Sequence, residues 1–310
     1  MPAIVLACRR RALALSFYFQ LRKVFDRPVR QNIFLIFERY MHIEKIKKKG
    51  TCRHLIFSEF LKREVTIDLY FPLEKVTAGE ISLLLINDGQ DLVTMNFHHL
   101  LEELYNQEII GSLWAVGIHC GEDRRNEYGT AHILNDKGEG RKAALYSRFI
   151  FEELLPFIKN RYAVTSFKEK SFCGFSLGGL SALDIVWNHP EEFSKVGVFT
   201  GSLWWRTLSQ DDPGFTEQEH LIMHQEIKNG KYYPWLQFFF EAGTKDEASD
   251  RNHNGIIDSI DDTLALIAEL VKKGYSRETD IHYLELKDGE HNVATWARAF
   301  PDFLKWGWGK

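Results

Sequence analysis

Ser171-Phe172-Cys173-Gly174-Phe175-Ser176-Leu177-Gly178-Gly179 is the stretch whose reading decides the fold. Ser171 to Gly174 reads as a short strand, and Leu177 to Trp187, carrying Leu180, Leu183, Ile185 and Val186, reads as a helix. A serine between the two, with glycine two residues before and two after, has the pattern of a nucleophile elbow. There the side chain projects from a sharp, strained turn, and the helix start crowds the strand end so closely that the flanking positions must be small; Gly174 and Gly178 meet that need. The helix N-terminus adds backbone N–H groups and partial positive charge beside the oxygen. G-x-S-x-G alone is a weak signal, and its place between a strand and a helix is what gives it weight.

Outward from this turn, strands and helices alternate. Residues 54–58 and 65–71 read as the strands of an antiparallel hairpin, and 81–86 and 113–118 as buried strands. Residues 196–200, 236–242 and 281–286 read as further strands. Helices are predicted over 97–105, 143–159, 263–273 (ended by Gly274) and 293–306, the last kinked at Pro301. This alternation predicts an α/β fold: a mostly parallel central sheet with helices on both faces and an N-terminal antiparallel hairpin.

Composition agrees with a globular chain and excludes other classes. The 310 residues are 45% hydrophobic and 26% charged, enough for a large buried core and unlike a disordered chain. A net charge of −4 lacks the basic excess of a nucleic-acid binder. No apolar run is long enough to span a bilayer. Four cysteines without clustered spacing read as free thiols of a reducing compartment, so a cytoplasmic location is expected. Residues 1–40 differ from the rest: eight Lys/Arg against two acids, which leaves −10 for residues 41–310. Their arginines follow the apolar start, the reverse of a secretory signal. We expect a basic extension outside the fold, followed by one domain over 41–310.

A serine hydroxyl needs a base to become a nucleophile at neutral pH. In this fold the chain order is serine, acid, histidine, with the last two after later strands. Asp246 follows the strand ending at Ala242, with Glu247 and Asp250 as alternatives, and His291 follows the strand ending at Leu286. Two backbone donors are needed for the developing oxyanion. Leu177 N–H is one candidate, and Gln90 N–H, in the turn Asn87-Asp88-Gly89-Gln90-Asp91, is the other.

These motifs resemble the putative-esterase branch of the α/β-hydrolases, which includes enterochelin, feruloyl and acetyl-xylan esterases, esterase D and mycolyltransferases. The resemblance runs over roughly residues 60–306. It is carried by Asn87 to Asp91, Gly117-Ile118 with Arg124 to Tyr128, Gly174 to Gly179, Gly201-Ser202-Leu203-Trp204-Trp205, Gly243-Thr244-Lys245-Asp246, and His291 followed by Trp296. It implies a serine esterase acting through an acyl-enzyme on a carbohydrate-linked or siderophore-type ester, without an organic cofactor. Acyl transfer to an alcohol other than water, or non-catalytic glycan or siderophore binding, are the alternatives. Fewer than ninety residues precede the first family motif, so no counterpart of the N-terminal β domain that enterochelin esterases often carry is expected. Oligomeric state is not legible.

Trp204 and Trp205 are candidate substrate contacts or, equally, residues packed under the 206–235 excursion; Arg124 is a candidate substrate contact, in a segment 123–128 that reads as a solvated turn or as a salt-bridged wall of the cleft. The excursion over 206–235 is a candidate cap. Residues 250–261, Asp250-Arg251-Asn252-His253-Asn254-Gly255-Ile256-Ile257-Asp258-Ser259-Ile260-Asp261, resemble a twelve-residue calcium loop. Its ligands would be Asp250, Asn252, Asn254, the Ile256 carbonyl, Asp258 and Asp261, giving a structural Ca²⁺ site beside the acid loop.

Overall fold

The computed structural model of the chain describes residues 50–72 and 79–310. The basic extension expected over 1–40 lies outside them. Gly50–Lys310 form one compact unit.

Apolar runs rich in Val, Ile, Leu and Phe make the strands β1 (Thr51–Ser58), β2 (Arg63–Tyr70), β3 (Ser82–Asn87), β4 (Leu113–Ile118), β5 (Glu169–Phe175), β6 (Lys195–Phe199), β7 (Gln237–Lys245) and β8 (Ile281–Glu290). Among the described residues they form a single sheet in the order β1-β2-β4-β3-β5-β6-β7-β8. β1 and β2 are an antiparallel hairpin, β2 meets β4 antiparallel, and every pairing from β4 to β8 is parallel. This is the α/β-hydrolase arrangement anticipated above. Parallel strands end on one rim, so the residues after β3, β5, β6, β7 and β8 can meet although they are far apart in sequence.

The helices are α1 (Phe97–Asn106), α2 (Arg124–Glu127), α3 (Ala143–Arg148), α4 (Leu155–Tyr162), α5 (Leu177–Asn188), α6 (Glu217–His220), α7 (Ile222–Asn229), α8 (Asp258–Lys273) and α9 (Val293–Trp308). The single helix expected over 143–159 is divided. Phe149–Leu154, between α3 and α4, is π-helical, and Pro156 just beyond it has no N–H to give the α ladder. Helix α8 starts earlier than expected, at Asp258, so the last residues of the calcium-like pattern form its first turn. Asp258 and Asp261 at that end and Lys272 and Lys273 at the other oppose the helix dipole. Helix α9 runs on through Pro301 to Trp308.

Aromatic packing joins α9 to the sheet centre. Phe300 stacks on Phe199 at 5.1 Å, and Trp296 stacks on Phe175 at 5.1 Å. Phe175, Phe199 and Phe303 are fully buried, and each such side chain contributes about 1.5–3 kcal/mol of transfer free energy. These contacts tie the helix after His291 to the strands that precede Ser176 and Thr200. In the 206–235 excursion, α7 packs against α5 and α8, with His224 Nε2 2.8 Å from the Asp262 carbonyl oxygen. No helix among the described residues is long and apolar enough to cross a membrane.

Candidate active site

Ser176 joins β5 to α5 at φ 54° and ψ −123°, a backbone region costly for any residue but glycine and typical of strained functional turns. The turn is held from several sides. Ser176 N–H donates to the Phe199 carbonyl at 2.9 Å, while its own carbonyl accepts from Gly179 and Ser202 N–H at 3.0 and 3.1 Å. The expected crowding is present: a Cβ on Gly174 would lie 2.3 Å from the Gly178 carbonyl oxygen, and one on Gly178 would lie 2.5 Å from Asp88 Oδ2.

His291 follows β8, and its Nε2 is 2.9 Å from Ser176 Oγ. Its ring meets the Trp296 indole edge-on, with centroids 5.4 Å apart. Burial is the largest influence on the imidazole and lowers its proton affinity; the Asp246 charge raises it and Arg124 lowers it, and the net direction is down. A base with a lowered pKa is neutral, and ready to accept a proton, at physiological pH.

Asp246 stands immediately after β7. Its Oδ2 accepts from Gly243 N–H at 2.8 Å, and its Oδ1 is 3.3 Å from Thr200 Oγ1. Burial raises its pKa, against the N–H of Gly243, the His291 imidazole and the Thr200 hydroxyl. Its link to the imidazole is electrostatic. The other two acids face elsewhere: Glu247 is bonded to the Ser259 backbone, and Asp250 accepts the N–H groups of Asn254 and Gly255 at 3.1 and 2.9 Å.

The loop after β3 is clamped against this turn. Asn87, fully buried, donates to the Gly178 carbonyl at 2.8 Å and accepts from Tyr146 Oη at 2.6 Å. Asp88, at φ 57°, takes two bonds of 2.7 Å from the Arg124 Nε and Nη2 groups. Its N–H donates to Tyr128 Oη at 3.2 Å. Gln90 sits in the 3₁₀ turn Gly89–Leu92 with its side chain tied to Asp88 and to Cys120 N–H. Leu177 is the first residue of α5.

One candidate substrate contact, Trp205, is corrected. Arg124 pairs through Nε and Nη2 with the nearly inaccessible Asp88 and keeps a side-chain exposure of 30%. Segment 123–128 is a wall of ion pairs, not a solvated turn: Glu127, 1% exposed, receives Arg63, and Asp123 pairs with Lys142 at 2.8 Å. Trp205 is fully buried, and a Cβ on Gly129 would lie 2.9 Å from its ring. It is a core residue. Trp204 remains partly exposed, with the Arg206 guanidinium 5.8 Å from its ring centroid.

Three residues escaped the sequence reading. Ser202 Oγ is 3.4 Å from Ser176 Oγ, Thr200 touches Asp246, and Glu241 touches Thr200 at 3.3 Å. Glu241 left a signal, as an acid inside the apolar run Phe238-Phe239-Phe240-Glu241-Ala242, and Ser202 lies in the motif Gly201-Ser202-Leu203-Trp204-Trp205.

In the loop over 250–261 the side chains bond to one another and to the loop backbone. Asn252 and Asn254 both donate to Asp261 Oδ2, at 2.8 and 2.7 Å, and Asp258 Oδ1 accepts from Arg251 N–H at 2.9 Å. Ile256 N–H donates to Asn254 Oδ1 at 2.7 Å. Among the described residues no group of three or more His, Cys, Asp or Glu is placed to hold a metal ion. Calcium therefore has no support beyond the sequence pattern.

Comparison with known proteins places this geometry in a family. The family model described as putative esterase matches residues 58–306. An uncharacterized protein of Bacillus subtilis, YjcH, is 24% identical over 263 residues, covering 83% of this chain and 98% of its own. Among solved structures, the ferric enterobactin esterase of Salmonella typhimurium superposes with a TM-score of 0.63 at 22% identity, over 83% of this chain and 57% of that one. The Shigella flexneri enterobactin esterase, crystallised with enterobactin, gives 0.62 at 23% identity, covering 82% of this chain and 57% of its own. The siderophore hydrolase EstB of Aspergillus nidulans gives 0.60 at 16% identity, over 83% and 95% of the two chains. The chain thus spans a little over half the length of the enterobactin esterases and nearly all of the fungal hydrolase.

Proposed function

The chain belongs to the putative-esterase family, and from that premise we propose that it is a serine esterase cleaving a small-molecule carboxylic ester through an acyl-enzyme. The observation that carries this reading is the 2.9 Å approach of His291 Nε2 to Ser176 Oγ on a strained strand-to-helix turn.

In the proposed reaction, His291 Nε2 takes the Ser176 proton as Oγ bonds to the ester carbonyl carbon, and the carbonyl π pair moves onto oxygen. The N–H groups of Leu177 and Gln90 receive that oxyanion. Preorganised donors of this kind are worth about 3–4 kcal/mol each. Collapse of the adduct expels the alkoxide, which leaves as alcohol with the proton from His291. Water then adds to the acyl-enzyme, gives a proton to His291, and the second collapse releases the acid and returns the proton to Ser176. Asp246 stabilises the imidazolium of each half-reaction through its charge. The clamps on Asn87 and Asp88 hold the oxyanion loop in register with the turn.

For substrate class we propose a siderophore-type or carbohydrate-linked ester. The names of the enterobactin esterases and of EstB support the first, and the partly exposed Trp204, two residues after Ser202, supplies an aromatic surface for either. Labelling by a fluorophosphonate probe, abolished in Ser176→Ala, tests the nucleophile. A panel of p-nitrophenyl acyl, feruloyl, acetyl-xylan and catecholate esters tests the class. An unlabelled wild-type protein that turns over none of them overturns the reading.

A further inference from the structure

Glu241 is a buried carboxyl group beside the site that the mechanism above leaves unused. It lies within β7 and is 1% exposed. Its Oε2 is 3.3 Å from Thr200 Oγ1, and its Oε1 has no hydrogen-bond partner. Thr200, at φ 41°, follows β6, and its N–H donates to the Glu241 carbonyl at 2.8 Å. The same Thr200 hydroxyl is 3.3 Å from Asp246 Oδ1 and accepts the Trp296 indole N–H at 3.3 Å.

One hydroxyl proton thus faces two carboxyl groups. If both were ionised, Thr200 could serve only one: Asp246 would keep the Gly243 N–H, but with the hydroxyl turned to Asp246, Glu241 would be a buried charge without a donor, which is costly. If Glu241 keeps its proton on Oε2, the bonds around Thr200 all run in one direction. Its O–H donates to Thr200 Oγ1, Trp296 N–H fills the second lone pair, and the Thr200 O–H is left for the Asp246 carboxylate.

We propose that Glu241 is a positioning residue that works as a neutral carboxylic acid, directing the Thr200 hydroxyl onto Asp246 and so keeping Asp246 ionised and oriented toward His291. This rests on the serine-esterase reading. The electrostatic surroundings favour it: burial first, and then the Asp246 charge, push the Glu241 carboxyl up to about 8, against the Thr200 donors and Arg298 on α9. Tyr283 on β8 faces it as well and is neutral in this range. At alkaline pH Glu241 loses its proton, draws the Thr200 hydroxyl away from Asp246, and the orientation is lost.

The test follows the rate of fluorophosphonate labelling at Ser176 from about pH 5 to about pH 10. In wild type the rate rises as His291 deprotonates and falls again through an alkaline inflection. In Glu241→Gln, which is neutral at every pH, the acid inflection is unchanged, the alkaline fall is gone, and the rate at neutral pH stays within about threefold of wild type. Thr200→Val, lacking the relay, is slower by about tenfold at neutral pH, the worth of one hydrogen bond, and Thr200→Ser restores the rate. Thermal midpoints give a readout independent of catalysis. A raised carboxyl pKa means that the unfolded chain releases this proton first. The contribution of Glu241 is therefore intact below its unfolded value of about 4.3 and is lost as pH climbs toward the folded one. The midpoint of Glu241→Gln accordingly exceeds that of wild type by a margin that grows over this interval. An alkaline inflection surviving in Glu241→Gln, a wild type without one, or Thr200→Val labelled at the wild-type rate overturns the inference. Absence of wild-type labelling overturns the esterase reading instead, and the midpoints then still decide whether Glu241 is neutral.

Discussion

Ser176 and His291 are 115 residues apart in sequence, yet Oγ and Nε2 lie 2.9 Å apart in the fold. The parallel strands β5 and β8 end on the same rim, and α9, packed through Trp296 and Phe300 on Phe175 and Phe199, fixes where the histidine loop lands.

On the proposed mechanism the two side chains act as one unit, so their losses should not add. Ser176→Ala and His291→Ala are each expected to lower kcat/KM by about 10⁴-fold or more, and the double variant to be no worse than the poorer single one. Steady-state kinetics on the best ester of the panel checks this. A double variant showing the product of the two losses would mean that the residues do not act together.

The proton affinity of His291 is lowered. On the proposed mechanism the reaction needs the neutral ring, so kcat/KM is expected to fall as pH drops through the folded-state pKa, with an inflection below the ordinary imidazole value of about 6.5. In Asp246→Asn the charge that raises the ring's affinity is gone. The inflection should move lower still, while the rate falls by about 10³–10⁴-fold. An inflection that moves upward contradicts the assignment of Asp246.

The Arg124–Asp88 pair should matter to stability as well as rate. Asp88 has a side-chain exposure of 3% and Arg124 one of 30%, so Arg124→Met strands a buried carboxylate, at a cost of about 3–5 kcal/mol. Asp88→Asn combined with Arg124→Met should recover much of that loss in urea denaturation, since no lone charge remains. A single-variant cost under about 1 kcal/mol would show that the pair does not hold the loop.

Gly174→Ala should be among the most damaging single-atom additions. The new Cβ would sit 2.3 Å from the Gly178 carbonyl oxygen and 2.4 Å from its carbon, and that backbone cannot yield without undoing the elbow. We expect a loss above about 3 kcal/mol, or no accumulation of folded protein. Gly111→Ala, where nothing lies within 4 Å of the added atom, is the control, expected within about 0.5 kcal/mol of wild type.

What the amino-acid order determined by itself was local or periodic. Alternating apolar runs and helical spacings announced the parallel α/β sheet and its hairpin. The small residues around Ser176 announced the turn, and the order Ser176, Asp246, His291 followed from where the later strands end. Pro156 could have warned of the interruption between α3 and α4. Only the tertiary structure decided that Trp205 is core while Trp204 reaches the surface, that Arg124 is held by Asp88, and that Thr200 and Glu241 stand behind Asp246. The reason is physical: strand and helix signals are carried by neighbours a few residues apart, whereas burial and ion pairing depend on which distant strands the sheet places side by side.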